Sequence, residues 1–184
     1  MEGDFIRLLC LLPNKSEAEP LQCKIHNYSL RTLGLQTHRY EALSYAWGDQ
    51  TKTLPIYIDE DQILITVNLY AALLHLRDHS FERIIWVDAI CINQGNLKEQ
   101  GQQVQLMAKI YSKASRVLVW LGETADDSDT ALESIRTAAE DEFTNSLNNR
   151  AIQQAILALL RRSWFQRIWV SRRSTYIQKH LIFI

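Results

Sequence analysis

Residues 84–94 read IIWVDAICINQ, an apolar run that turns polar at Asp88 and then carries Cys91, Asn93 and Gln94. The apolar half is the pattern of a strand covered on both faces, and Asp88 stands at its carboxyl end. The stretch decides the fold because the pattern changes period on either side of it. Downstream, NLKEQGQQVQLMAKIYSKA places Val104, Met107, Ala108 and Tyr111 on one helical stripe. Gly101 weakens that helix by on the order of 1 kcal/mol relative to Ala. Next comes SRVLVWLGE, 115–123, a second buried strand stopped by Gly122. Upstream, NLYAALLHLRDH sets Leu69, Ala72, Leu73 and Leu76 at i, i+3, i+4 and i+7, with Asn68 or Thr66 as N-cap. YEALSYAWGDQ, 40–50, begins as a strand and breaks at Gly48–Asp49.

Toward the amino end, FIRLLCLL and LQCKIHNYSL read as one hairpin, and LPIYID and ILIT, flanking EDQ, as another. Toward the carboxyl end, SDTALESIRTAAEDEF starts at Ser128 or Asp129. NRAIQQAILALLRRSWF turns Ile152, Ala155, Ile156, Leu159 and Leu160 inward. Strands that alternate with helices predict an α/β domain with a central, mainly parallel sheet flanked by helices, decorated by N-terminal β-hairpins. Ligands in such folds sit beyond the carboxyl ends of the strands. Three polar strand ends would meet there: 44–49, 87–94 and 120–123.

Composition narrows the partners. Among 184 residues, 20 basic and 21 acidic side chains leave a net charge of −1, which favours no nucleic-acid partner. The arginines at 161, 162, 167, 172 and 173 read as a solvated helix face. Cys10, Cys23 and Cys91 are odd in number and form no C-x-x-C pair, so neither a disulfide framework nor a zinc site is expected; a reducing compartment is. No apolar run reaches the roughly 18–20 residues of a membrane span. The opening MEGDFIRLLCLLPNK lacks the basic start of a signal peptide and reads as a strand. Triphosphate-binding, dinucleotide-binding and zincin motifs are all missing.

Each polar residue has an ordinary role to set beside a functional one. Asp88 accepts N–H groups of its own loop, or else contacts a ligand such as a ribose hydroxyl. Cys91 is a buried inert thiol, or else a nucleophile for which none of the five histidines offers a recognisable base. Asn93 caps the following helix. Gln94 has no evident structural duty. Glu99 suits the positive end of its helix. Trp86 and Trp120 belong to the core, whereas Trp47, in the Gly48 turn, is placed to line a pocket.

Three ordered blocks, YEALSYAWGD (40–49), the segment 86–123 from WVDAICINQ to WLGE, and RSWFQRIWV (162–170), together resemble the heterokaryon-incompatibility (HET) domain of filamentous fungi. The resemblance covers residues 5–170. It implies a cytoplasmic role in non-self recognition and programmed cell death, through self-association or contact with other incompatibility proteins. It also implies distant kinship with TIR domains, which have a flavodoxin-like parallel sheet and in some cases cleave NAD with a glutamate. NAD would then be a substrate; no metal or resident cofactor is expected. The signature makes Ser44, Tyr45, Trp47, Gly48, Asp49, Asp88, Cys91, Asn93, Gln94 and Glu99 the candidate pocket. The family pattern continues W-V-x-Q-E where this chain has Trp169, Val170, Ser171, Arg172 and Arg173. Arg173 thus stands at the expected glutamate, which implies impaired catalysis unless Asp88, Glu99 or Glu123 substitutes for it. Residues 171–184 depart from the pattern, as a truncated or mis-spliced end would.

Overall fold

A computed structural model describes residues 4–16, 18–31, 40–125, 127–140, 150–166 and 181–184. Among the described residues eight strands form one sheet: β1 (Phe5–Leu11), β2 (Gln22–Ser29), β3 (Glu41–Tyr45), β4 (Thr53–Ile58), β5 (Asp61–Thr66), β6 (Arg83–Trp86), β7 (Arg116–Trp120) and β8 (Leu181–Phe183). The helices are α1 (Val67–Leu76), α2 (Asp88–Cys91), α3 (Leu97–Lys113), α4 (Ser128–Glu140) and α5 (Arg150–Leu160).

The sheet order is β5-β4-β2-β1-β6-β3-β7-β8. The α/β expectation holds, but the sheet is mixed, not mainly parallel. The block β6-β3-β7-β8 is parallel throughout. β1 runs antiparallel to both β2 and β6, and β4 antiparallel to β5. The N-terminal hairpin is no decoration: β1 lies between β2 and β6, inside the sheet. Its sequence explains why. Ile6 and the run Leu8–Leu11 are all buried, as only a strand covered on both faces would require. The second hairpin turns over Asp59–Glu60, with Asp59 at φ +53, one residue ahead of the expected EDQ turn. The tail contributes β8, with Val117 opposite Leu181 and Val119 opposite Phe183.

The helix readings are sharpest where apolar side chains decide the face. The buried residues of α1 are Leu69, Ala72, Leu73 and Leu76, as the spacing predicts, and Thr66, not Asn68, is the cap. Each buried leucine there contributes roughly 1.5–3 kcal/mol. In α3 the inward face is rotated: Glu99, Gln103, Met107, Ile110 and Tyr111 are buried, while Val104 is exposed. The difference is caused by polar anchors. The Gln103 side-chain amide donates to Phe5 O at 2.9 Å, Tyr111 Oη to Leu43 O at 3.1 Å, and Tyr40 Oη, just before β3, to Ile110 O at 2.6 Å. In α5, Ala155 and Leu159 are buried and Leu160 is exposed. The main core lies between the sheet, α1 and α3. A second cluster, of Val119, Leu121, Ala131, Ala155, Leu159 and Trp164, seats α4 and α5 on β7.

Candidate functional site at the strand ends

Parallel pairing brings the carboxyl ends of β6, β3 and β7 side by side, so the three polar segments meet as expected. Side chains tie them together. Trp47 Nε1, just beyond β3, donates to Asp88 Oδ2 at 3.2 Å, beyond β6. Asn68, in the first turn of α1, donates from Nδ2 to Ala46 O at 2.6 Å and accepts from Trp120 Nε1 at 3.0 Å. One amide therefore joins the ends of β3 and β7. The chain turns at Gly48, φ +72, a region where a Cβ is strained; a Cβ there would also lie 3.2 Å from Asn68 Cβ. Sequence patterning marked Asn68 only as a cap alternative. A polar amide two residues inside an otherwise apolar helix start was the available signal.

Asp88 behaves as its ordinary role predicts: Oδ1 accepts the Ala89 N–H at 2.8 Å, and the other oxygen holds Trp47. Gln94 gains a duty that its sequence did not suggest. Its Nε2 donates to Asp88 O at 2.9 Å and its Oε1 accepts from Gln100 at 3.2 Å. Asn93 is not the helix cap. Its Oδ1 accepts from Gly95 N within its own turn, and Asn96 caps α3 through the Glu99 N–H.

Glu99 is buried and goes beyond its helix-end role. It forms an ion pair with Arg7 of β1 and accepts the Asn93 N–H at 3.0 Å. The same arginine donates from Nε to Cys91 O at 3.0 Å. Arg7 was overlooked as a site residue, although a lone charge in FIRLLCLL demands a buried partner. Cys91 is buried; loss of hydration pushes its thiol up to about 12, far from a nucleophile's range. Ser44 and Tyr45 are buried within β3, and Ser44 Oγ accepts from Trp164 Nε1 at 2.9 Å. Asp49 turns outward, and the Thr51 hydroxyl and amide hold its carboxyl below the usual carboxylate range. Trp169, Val170, Ser171, Arg172 and Arg173 lie outside the described residues.

Two clefts open at the end of β7. The smaller, of about 370 Å³, is bounded by Ala46, Gly48, Asn68, Glu123, Arg162 and Ser163. Of the ten expected pocket residues, Gly48 lines it; Trp47 instead packs against the main core. The larger, of about 790 Å³, opens between α1, the β7 end and α4. Trp120, Gly122, Glu123 and Arg162 border both. Arg162 donates to Leu121 O at 3.1 Å and Ala125 O at 3.0 Å, fixing the loop after β7. Glu123 is exposed, and among the described residues no cation pairs with it. No three His, Cys, Asp or Glu side chains gather as a metal site among the described residues, and no helix there is long and apolar enough to cross a membrane.

Comparison with known proteins agrees with the sequence blocks. Heterokaryon incompatibility protein 6, OR allele, of Neurospora crassa is 32% identical over 167 residues, covering 84% of this chain. The chain spans 24% of that relative's length. No solved structure matches it. The family model for heterokaryon incompatibility protein (HET) matches residues 40–172, from the start of the YEALSYAWGD strand to Arg172. The chain belongs to the HET family.

Proposed function

We propose that this chain is the HET module of a fungal incompatibility protein, acting in non-self recognition and the cell death that follows it, and that it does so without cleaving NAD. The module spans residues 1–170, with 171–184 a divergent tail, and acts in the cytoplasm. The observation that carries the second half is Arg173 at the position where the family pattern sets glutamate. Breaking the nicotinamide–ribose bond builds positive charge on the ribose, which a nearby carboxylate must stabilise. A guanidinium there repels that charge. Two of the three candidate substitutes support the same reading: Glu99 is held by Arg7, and Asp88 by Trp47 and its own loop. Purified protein incubated with NAD should release no nicotinamide above the uncatalysed rate. Turnover abolished by Glu123→Gln would reverse the reading.

That reversal is the second reading, an active NAD glycohydrolase, and the exposed position of Glu123 in the clefts favours it. Self-association as a signalling module is compatible with the first. A strictly monomeric protein in sedimentation at high concentration would count against assembly. Growth arrest on overexpression in a fungal host tests the link to cell death.

A further inference from the structure

The larger cleft lies between α1, the end of β7 and α4. Its lining is mixed: Tyr70, Ala71, Leu74, Trp120, Leu132 and half-exposed Val67 supply apolar and aromatic surface, and His75 stands among them. A cleft of about 790 Å³ is the size that encloses a small organic ligand. Its charged groups have a definite balance. Glu123 and Asp129 supply two carboxylates, both exposed, and neither pairs with a cation among the described residues. Thr124 Oγ1 lies 3.4 Å from each Asp129 oxygen, which leaves that carboxylate with acceptor capacity. Among the described residues, Arg162 is the guanidinium that lines the cleft, and it turns its Nη groups onto the Leu121, Gly122 and Ala125 carbonyls. Those bonds aim its donors at the loop. A phosphate or carboxylate entering here would meet two like charges and a cation already engaged.

We infer that this cleft binds a small amphipathic organic cation, an amine carried on a flat apolar body. The body would lie against Leu74, Leu132 and the aromatic walls. The ammonium would donate to Glu123 and Asp129, bonds that are strong because both partners are charged. The Tyr70 ring favours a cation over an anion at the same depth, whereas Trp120 is buried, with its ring against His75 at 5.5 Å. The complementarity of charge is what selects the occupant. The inference does not depend on whether NAD is cleaved, so its failure leaves the nicotinamide assay standing.

Tryptamine, indole-3-propionate and adenosine monophosphate are suitable probes, titrated calorimetrically against the whole chain. Tryptamine should bind, whereas the acid of the same ring and the nucleotide should not. The Glu123→Gln/Asp129→Asn double variant should weaken tryptamine by at least about tenfold, the size expected for losing charged hydrogen bonds. Both positions are exposed, and Asp129 lies in the first turn of α4, so without ligand its melting temperature should fall by no more than a few degrees. Binding of the acid or the nucleotide as tightly as the amine would overturn the inference. So would no binding of tryptamine, or unchanged binding in the double variant.

Discussion

Arg7 and Glu99 stand 92 positions apart and form one ion pair beneath the AICINQ turn. The arginine comes from the middle of the sheet and the glutamate from the first turn of α3. Together they hold Cys91 O and the Asn93 N–H, so the turn's shape depends on both. A largely buried pair is costly to break from one side, because the remaining charge stays behind without its partner. Arg7→Met and Glu99→Gln should each lose about 2–4 kcal/mol in chemical denaturation. The double variant should lose less than the sum of the two. Simple additivity would show that the two groups act independently.

Asn68 and Gly48 form the second fixed point. Asn68→Ala removes the bond to Ala46 O and leaves Trp120 Nε1 without its acceptor, at an expected cost of about 1–3 kcal/mol. Gly48→Ala should cost about 1–2 kcal/mol through its positive φ alone, and more if Asn68 cannot yield at 3.2 Å. Both variants should broaden the indole Nε1 resonance of Trp120 in NMR spectra. A sharp, unshifted resonance in Asn68→Ala would refute the clamp.

These two anchors mark the limit of what the sequence made legible. Periodicity found α1 because leucines and alanines alone decide its buried face. It rotated α3 wrongly because Gln103 and Glu99, polar by composition, are drawn inward by partners on a distant strand. The three strand ends of the site were legible because apolar runs end in polar residues at the same edge of a parallel block. Whether β1 would run antiparallel within that sheet was not legible, since a continuous apolar run looks the same in either direction. The bond of Asp88 to the Ala89 N–H was legible, because loop carboxylates bond locally. Gln94 was not, because its partners, Asp88 O and Gln100, become neighbours only once the turn is folded.

Thiol burial gives a pH dependence. Cys23 and Cys91 are pushed from the ordinary 9.0 up to about 12 by loss of hydration. Burial raises the Tyr40 phenol as well. A raised acid pKa means that the unfolded chain releases its proton first. The stabilisation is therefore complete below about pH 9 and is lost as pH rises toward 12. Each thiol should contribute a fall of about 1.4 kcal/mol per pH unit in that window. Denaturant midpoints measured from pH 8 to 11 should decline, and Cys23→Ala/Cys91→Ala should flatten the decline. The native thiols should resist iodoacetamide at pH 8 and react on unfolding. Rapid native alkylation of Cys91 would refute its burial.

Three charged groups meet at the amino ends of the same parallel strands. Glu41 of β3, buried, accepts from Arg83 of β6 at 2.9 and 3.0 Å and pairs with Arg116 of β7 at 2.9 Å. One carboxylate thus fixes the two neighbours of the central strand, opposite the edge that carries the clefts. The three groups differ in exposure: the Glu41 side chain is 10% exposed, Arg83 28% and Arg116 51%. Water screens the Arg116 arm, so Arg116→Ala should cost under about 1 kcal/mol. Arg83 also donates to Leu76 O at 3.1 Å, so Arg83→Ala removes a two-pronged grip and a helix-end bond together. Glu41→Ala leaves both arginines facing each other across β3 and should cost most, about 2–4 kcal/mol. Added salt should narrow the gap between Arg116→Ala and the parent while leaving the Glu41 effect nearly unchanged, since shielded pairs are screened least. An order with Arg116→Ala as the most damaging substitution would place the register's anchor elsewhere.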